Sequence, residues 1–161
     1  MRNGKKSSSK LIGSVICAFL LLLCACVPSN PVTVDDAESF LTDHLEELQT
    51  VADYCIDSGI HLLLIRSARE AAEYDLPDSC KDAVRELRRN GVRIIGYLDT
   101  EACIEFELWN SVQDIGCGIA YSFVDGAEPD IQFLTEIQPL SVENWYYYVT
   151  DYNTWRAMQE E

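Results

Sequence analysis

Positive charge and histidine are both scarce in this sequence of 161 residues. It has 12 lysines and arginines against 27 aspartates and glutamates, and two histidines, His44 and His61. Such an excess of negative charge repels phosphate backbones, which argues against nucleic acid as a partner. Neither histidine has a nucleophile or a carboxylate at an informative spacing, so a structural role is favoured for both.

The sequence also lacks the signatures of several large classes of enzymes and metal proteins. It contains no P-loop, GxGxxG, GxSxG or HExxH motif, and no CxxC pair or Cys/His spacing typical of structural zinc. We therefore predict no cofactor and no metal site. The motifs assign no catalytic residue.

One long apolar run is present, close to the N-terminus. No charged residue occurs between positions 11 and 27, and four basic residues precede this stretch. A basic start followed by an apolar segment is the order of a secretory signal. A run of this length is also near the lower limit of about 17 residues for a membrane-spanning helix, so an uncleaved signal anchor is the alternative.

The apolar run ends in Leu23-Cys24-Ala25-Cys26, which resembles the lipobox of bacterial lipoproteins. The resemblance implies cleavage before Cys26 and acylation of its sulfur, which would hold the protein on the extracytoplasmic face of the cell membrane. Two acyl chains form a lasting anchor, because each buried CH₂ contributes ~0.8 kcal/mol. Without residues 1–25 the chain keeps eight basic and all 27 acidic residues, a net charge of −19. The lipid, and not a basic patch, is therefore expected to bind the membrane.

The chain length and the leader together predict a single folded domain. Residues 1–25 form the signal peptide, and residues 26–33 form the lipidated cysteine and a short tether that contains two prolines. Residues 34–161 then have the usual size of one domain with one core.

The first half of this domain has the pattern of two main helices and two strands. Thr33 is a predicted N-cap for a long helix with apolar residues at 3–4 spacing, which ends at Gly59. Residues 68–74 suggest a short helical turn, and Ser79 is a predicted cap for the second helix, which closes at Asn90-Gly91. Aliphatic strands at 60–66 and 92–98 flank the short turn and the second helix, an order that permits a right-handed crossover with the two strands parallel.

The second half of the domain has the two-residue period of strands. Residues 102–109 alternate, which predicts one buried face and one solvent-exposed face that carries Glu105 and Glu107. Strands at 116–124, 131–137 and 145–150 follow at short spacing and predict an antiparallel meander. The fold class is α+β, with a long N-terminal helix and a second helix on a mostly antiparallel sheet of about six strands.

Four cysteines besides Cys26 remain in the domain, and export would permit disulfides between them. A hairpin that places Trp109 near Cys117 would put Cys103 opposite Phe123, too far from Cys117 to form a bridge. Cys55 and Cys80 lie at helix ends and could approach one another. The alternative, that all four are buried thiols, is favoured over any bridge. The four are Cys55, Cys80, Cys103 and Cys117.

An aromatic segment near the C-terminus is the strongest candidate for binding. On a strand, Trp145 and Tyr147 point to one face and Tyr146 and Tyr148 to the other, so one set is expected in the core and the other partly exposed. Exposed aromatic rings stack on sugars or grip a protein partner, here an envelope protein or a glycan. The alternative is that they join the sheet to the helices. The candidate binding residues are Trp145, Tyr146, Tyr148, Tyr152 and Trp155.

A second function of a different class is a small extracytoplasmic hydrolase. Two carboxylates on one strand face, Glu105 and Glu107, are the chemistry of glycoside hydrolysis. This function requires a pocket in which these acids or His61 converge, with a raised carboxylate pKa. Binding is favoured over hydrolysis, because so many acidic residues produce such pairs by chance.

The C-terminal third contains a further resemblance. The segments Gly118-Ile119-Ala120-Tyr121-Ser122, Ile131-Gln132-Phe133-Leu134-Thr135 and Asp151-Tyr152-Asn153-Thr154-Trp155-Arg156, with Pro139-Leu140-Ser141 and the aromatic run between them, resemble small uncharacterised lipoproteins of Gram-positive, clostridia-like bacteria. The resemblance implies export and membrane attachment. It brings no known activity, cofactor or catalytic residue.

Overall fold

A computed structural model describes residues 31–111 and 115–159 of the chain. The predicted signal peptide, Cys26 and the first part of the predicted tether lie outside these residues. Within the described ranges, no helix has both the length and the apolar character needed to cross a membrane.

The long first helix, α1, covers Val34–Asp57 and begins where the sequence predicts. The Thr33 side chain accepts a 3.2 Å hydrogen bond from the Asp36 amide, and the Asp36 carboxylate accepts a 3.0 Å bond from the Thr33 amide. This capping box satisfies two amides at the helix start. The helix ends at Ser58, and Gly59 follows with φ +67°, a left-handed conformation that suits glycine. The predicted cap and end are both confirmed.

In residues 31–111 and 115–159, three shorter helices and six strands accompany α1. The helices are α2 (Ala68–Ala71), α3 (Asp78–Arg89) and α4 (Tyr152–Gln159). The strands are β1 (Leu62–Ile65), β2 (Ile94–Leu98), β3 (Cys103–Asn110), β4 (Ile115–Ser122), β5 (Leu134–Pro139) and β6 (Trp145–Asp151).

All six strands form one sheet in the order β1-β2-β3-β4-β6-β5, and every neighbouring pair is antiparallel. The predicted α+β class, with its early helices and its antiparallel C-terminal strands, is confirmed. β6 lies between β4 and β5, so the last strand of the chain occupies an interior position in the sheet.

The predicted parallel pairing of the first two strands is wrong. Leu62 lies opposite Leu98 and Ile65 opposite Ile95, an antiparallel register. The connection between β1 and β2 contains two helices. The chain leaves the sheet where β1 ends and returns to the same end of the sheet, where β2 begins. The Arg88 guanidinium holds this return in place, because it donates to the carbonyls of Arg66, after β1, and Arg93, before β2, at 3.0 and 2.6 Å.

The predicted cap of the second helix is also wrong. Helix α3 begins one residue before Ser79, and its N-cap is Pro77, which makes no side-chain hydrogen bond to the helix. Proline suits this position because its fixed φ, here −57°, precedes a helix without strain and it has no amide to satisfy. The predicted closure at Asn90-Gly91 is confirmed, with Gly91 at φ +116°.

The main core lies between one face of the sheet and the helices α1 and α3. It contains Leu41, Leu48, Leu87, Ile95 and Phe106, which are fully buried. All of its buried residues lie between positions 37 and 147, inside the compact unit Pro31–Glu161. That unit therefore contains its own core, which is the property of a domain that can fold independently.

A second, smaller cluster covers the opposite face of the sheet. Cys103, Ala120, Ile131 and Tyr148 are buried together, and Leu134 packs against them. Ile131 comes from the segment between β4 and β5, which covers part of β3 and β4. The predicted solvent-exposed face of β3 is therefore wrong at Cys103, which is 1% exposed.

Candidate functional site

The covered face of the sheet is built around a stripe of small residues on β4. A Cβ atom at Gly118 would lie 2.2 Å from the Phe106 carbonyl oxygen. A Cβ atom at Gly116 would lie 3.0 Å from both a Glu107 carboxylate oxygen and the Thr150 hydroxyl. Both glycines therefore relieve crowding, as the sequence predicts, and they leave room for side chains from β3 and β6.

The strand β3 has a bulge that fixes which of its side chains reach this face. The register changes between Glu107 and Trp109, so Trp109 lies opposite Cys117 as predicted. At the other end Cys103 lies opposite Ser122, one position away from the predicted Phe123. The extra residue of the bulge accounts for the difference.

Glu105 is the most strongly perturbed carboxyl group on this face. Burial raises its pKa to about 7, and repulsion from Glu101 contributes to the rise. The Tyr148 hydroxyl hydrogen-bonds the Glu105 carboxyl group and so opposes part of this shift. Burial also raises the pKa of Tyr148 well above its ordinary value, so the phenol keeps its proton and acts as the donor.

Glu107 belongs to a separate chain of polar contacts. The Asn110 amide donates to the Glu107 carboxylate at 2.6 Å, and Arg93 donates to the Asn110 side-chain oxygen at 2.9 Å. Burial raises the pKa of Glu107, while the Asn110 hydrogen bond and the positive charge of Arg93 lower it. Glu105 and Glu107 therefore share a strand but have different partners.

His61 lies away from these carboxyl groups, at the edge of the sheet. Its Nδ1 atom is 2.6 Å from the Asp99 carboxylate, and its side chain is 88% exposed. The antiparallel register of β1 and β2 continues past Leu62 and Leu98 and brings these two residues together. Sequence reasoning missed Asp99 because it assumed parallel strands. The hydrolase hypothesis expects a pocket in which Glu105, Glu107 or His61 converge; His61 pairs instead with Asp99, and none of the three residues lines either of the pockets found in the described part of the chain.

The aromatic segment of β6 is buried on both faces of the sheet. Trp145 packs against Phe106 and Tyr121, with ring centroids 5.9 and 5.0 Å apart. Tyr146 and Tyr148 are also buried. The prediction that one set of these rings is exposed is wrong, because the helices cover one face and the segment around Ile131 covers part of the other. These rings join the layers of the domain.

The remaining two predicted binding residues lie in a separate aromatic cluster. Tyr152 and Trp155 on α4 contact Phe133, with ring centroids 5.0 and 5.3 Å from the Phe133 ring. Phe133 is 37% exposed and Tyr152 is 38% exposed. Sequence reasoning missed Phe133, whose position directly before a strand gave no signal of this contact.

The four thiols are free and buried, as the favoured interpretation predicts. Burial raises the pKa of Cys55 to about 12 and that of Cys80 to about 11, and the two are close enough to interact electrostatically. A thiol with a raised pKa is a poor nucleophile. Neither group therefore suits nucleophilic catalysis.

Neither a metal site in the described part of the chain nor a match to a known protein accompanies these features. Among the described residues, no group of three or more histidine, cysteine, aspartate or glutamate side chains has the arrangement of a metal site. No protein-family model matches the chain, and the searches of curated proteins and of solved structures returned no match.

Proposed function

We propose that this chain is an extracytoplasmic lipoprotein, tethered to the cell membrane through Cys26, whose domain binds an envelope glycan or protein. The observation that carries the binding function is the partly exposed aromatic cluster formed by Phe133, Tyr152 and Trp155. Exposed rings with polar edges are the surfaces on which sugars and protein partners stack.

The backbone at Phe133 supports a functional role for this cluster. Phe133 has φ +60°, in the left-handed region that a bulky side chain rarely adopts. Such a conformation costs about 1–3 kcal/mol and persists where the surrounding structure holds it. Here the Phe133 carbonyl accepts a 3.0 Å hydrogen bond from the Asp151 amide. The ring of Phe133 meets the rings of Tyr152 and Trp155 in edge-to-face arrangements.

The two rings on α4 are held in place by the cap of that helix. The Asp151 carboxylate accepts hydrogen bonds from the amides of Asn153 and Thr154 at 2.9 and 3.1 Å, and from the Thr154 hydroxyl at 2.7 Å. These bonds lower the pKa of Asp151, so the cap persists at neutral pH. A surface held in its binding conformation loses less entropy when a partner binds.

The proposed anchor rests on the lipobox and on the position of the domain. Cys26 lies five residues before Pro31, where the folded unit begins. The Val32 carbonyl accepts a 2.9 Å hydrogen bond from the Tyr147 hydroxyl, which fixes the start of the domain to β6. Acylation of Cys26 would therefore place the domain close to the membrane.

Binding is tested with the segment from Pro28 onward coupled to beads. The beads are incubated with purified cell-wall glycan or with envelope protein extract, and recovery is compared for wild type and Tyr152→Ala/Trp155→Ala. We expect the double variant to lose recovery of one of these partners. Met158→Ala is the matched control, because Met158 is an exposed apolar residue of the same helix. Equal recovery by all three proteins would contradict the proposed surface.

The raised pKa of Glu105 is the one observation that favours the alternative, a hydrolase. A carboxyl group that titrates near neutral pH suits general acid catalysis. Glu105 is hydrogen-bonded to Tyr148, whereas Glu107 and His61 contact other residues. These separate contacts favour a structural role for Glu105. Release of sugars from cell-wall glycan by wild type, and its loss in Glu105→Gln, would establish the hydrolase.

A further inference from the structure

The positive charge of the domain is concentrated in one short part of the chain. Seven of the eight lysines and arginines after residue 25 lie between positions 66 and 93. This part includes the helices α2 and α3. These seven are Arg66, Arg69, Lys81, Arg85, Arg88, Arg89 and Arg93.

A groove of about 450 Å³ lies between α2 and α3, within this basic part. Its apolar lining consists of Val84 and three alanines, and its polar lining consists of four basic residues without any acidic residue. Sites for small molecules have this size and this combination of apolar walls with a few polar groups. The three alanines are Ala68, Ala71 and Ala72, and the four basic residues are Lys81, Arg85, Arg88 and Arg89.

The spacing of the residues on each helix produces this groove. Lys81, Val84, Arg85 and Arg88 follow the 3–4 spacing of one helix face, so the cations and the apolar floor lie side by side. Helix α2 contributes only methyl groups, which leave space that larger side chains would fill. The groove therefore results from the residues of the two helices and not from a flexible loop.

The basic side chains differ in how firmly they are held. Arg88 is fixed by its two backbone carbonyl partners. Lys81, Arg85 and Arg89 pair with acids three residues earlier on the same helix, at 3.8, 2.5 and 3.4 Å. Exposed pairs of this kind contribute only about 0–1 kcal/mol, so these cations can turn to a ligand at little cost.

We propose that this groove binds a small anionic amphiphile, namely a free single-chain fatty acid. The tail would lie on Val84 and the alanines, and the carboxylate would contact Lys81, Arg85 and Arg89. This site is independent of the aromatic surface proposed above.

Charge and shape together favour a free ligand over a membrane surface. An anionic bilayer would meet the whole field of a domain with net charge −19, which repels it. A small ligand in the groove meets Lys81, Arg85 and Arg89 at close range and competes only with their exposed partners Asp78, Asp82 and Glu86, which do not line the groove. Acids beyond about 10 Å are screened at 0.1 M salt.

The proposal is tested by isothermal titration calorimetry on the segment from Pro28 onward. The ligands are decanoate, decanol, which has the same tail without the charge, and acetate, which has the charge without the tail. We expect saturable binding of one decanoate per chain, and binding of decanol and acetate that is weaker by about tenfold or more.

Three variants locate the binding site. Lys81→Gln/Arg85→Gln removes two cations, and Ala68→Leu fills the groove from α2; each is expected to weaken decanoate binding by about tenfold. Arg69→Gln is the matched control, because Arg69 lies on α2 with a 92% exposed side chain but does not line the groove. It is expected to bind decanoate as wild type does.

Three results would overturn the proposal. The first is the absence of saturable decanoate binding, and the second is equal binding of decanol. The third is equal decanoate binding by wild type and both groove variants. Binding to phosphatidylglycerol vesicles without binding of free decanoate is a case of the first result, and it would assign the groove to a lipid surface instead.

Discussion

The Tyr148 hydroxyl of β6 hydrogen-bonds the Glu105 carboxyl group of β3 across the strand β4 that separates them. The bond is possible because β4 carries Ala120 opposite Glu105 and Gly118 opposite Tyr148, and the single methyl group and the absent side chain leave room above the strand. Glu105 and Tyr148 therefore form a polar pair although their strands are not neighbours. The pair lies on the sheet face that Ile131 partly covers.

The raised pKa of Glu105 predicts a specific pH dependence of stability. In the folded state the Glu105 carboxyl group keeps its proton up to about pH 7, whereas in the unfolded state it releases the proton near its ordinary pKa of 4.5. This stabilisation is complete below pH 4.5 and is lost as the pH rises through 7. The free energy of unfolding should fall by on the order of 3 kcal/mol from this group.

Urea denaturation at pH 4.5 and pH 8.5 measures this effect. We expect Glu105→Gln to lose less stability between the two pH values than wild type, because glutamine does not ionise. Glu136→Gln, at an exposed position on β5, serves as the control and should follow wild type. If Glu105→Gln and wild type show the same pH dependence, Glu105 has no raised pKa.

Tyr148→Phe provides a separate test of the hydrogen bond. The hydroxyl stabilises the ionised form of Glu105, so its removal should raise the pKa of Glu105 further. The carboxyl carbon chemical shift of Glu105, followed by NMR across a pH titration, reports this value. An unchanged or lower pKa in Tyr148→Phe would show that the hydroxyl does not donate to this carboxyl group.

The contact of Gly118 with the Phe106 carbonyl predicts a large effect of one methyl group. Gly118→Ala should destabilise the domain by about 3 kcal/mol or more, because its Cβ atom and the β3 backbone cannot occupy the same space. Gly96→Ala is the matched control on β2, where a Cβ atom meets nothing within 4 Å. Its stability should stay within about 1 kcal/mol of wild type. Equal midpoints of urea denaturation for the two variants would contradict the close approach of Gly118 to the β3 backbone.

The position of Arg88 predicts a stabilising role for its guanidinium. Arg88→Met keeps the apolar stem but removes the bonds to the carbonyls of Arg66 and Arg93, and we expect a loss of about 2 kcal/mol. Arg69→Met should change the free energy of unfolding by less than about 0.5 kcal/mol, because that side chain is exposed. Similar losses in both variants would mean that the two carbonyl contacts do not stabilise the return of the chain.

The proposed anchor makes a prediction about Cys26. In cells fed labelled palmitate, wild-type chain should carry the label and remain with the membrane, and Cys26→Ala should lose both. Cys24→Ala is the control, because the lipobox resemblance assigns acylation to Cys26 alone. Membrane retention of unlabelled Cys26→Ala would favour the uncleaved signal anchor.

The candidate sites show what a linear pattern misses. The low count of basic residues excluded a basic docking patch, yet four of those residues line one groove because α3 places them on a common face. No sequence pattern indicated the contacts of Phe133, because Tyr152 and Trp155 come close to it only when β5 pairs with β6.

The sequence by itself determined the cap and end of α1, the α+β class, the burial of the thiols and the need for glycine at 116 and 118. The cap and end of α1 follow from contacts within a few residues, and the α+β class follows from the periods of the single elements. The glycines and the buried thiols follow from the general preferences of these residue types. Only the tertiary structure decided the antiparallel pairing of β1 with β2, the burial of both tyrosine sets on β6 and the raised pKa of Glu105. These depend on which distant segment covers a given face, and neither capping nor periodicity carries that information.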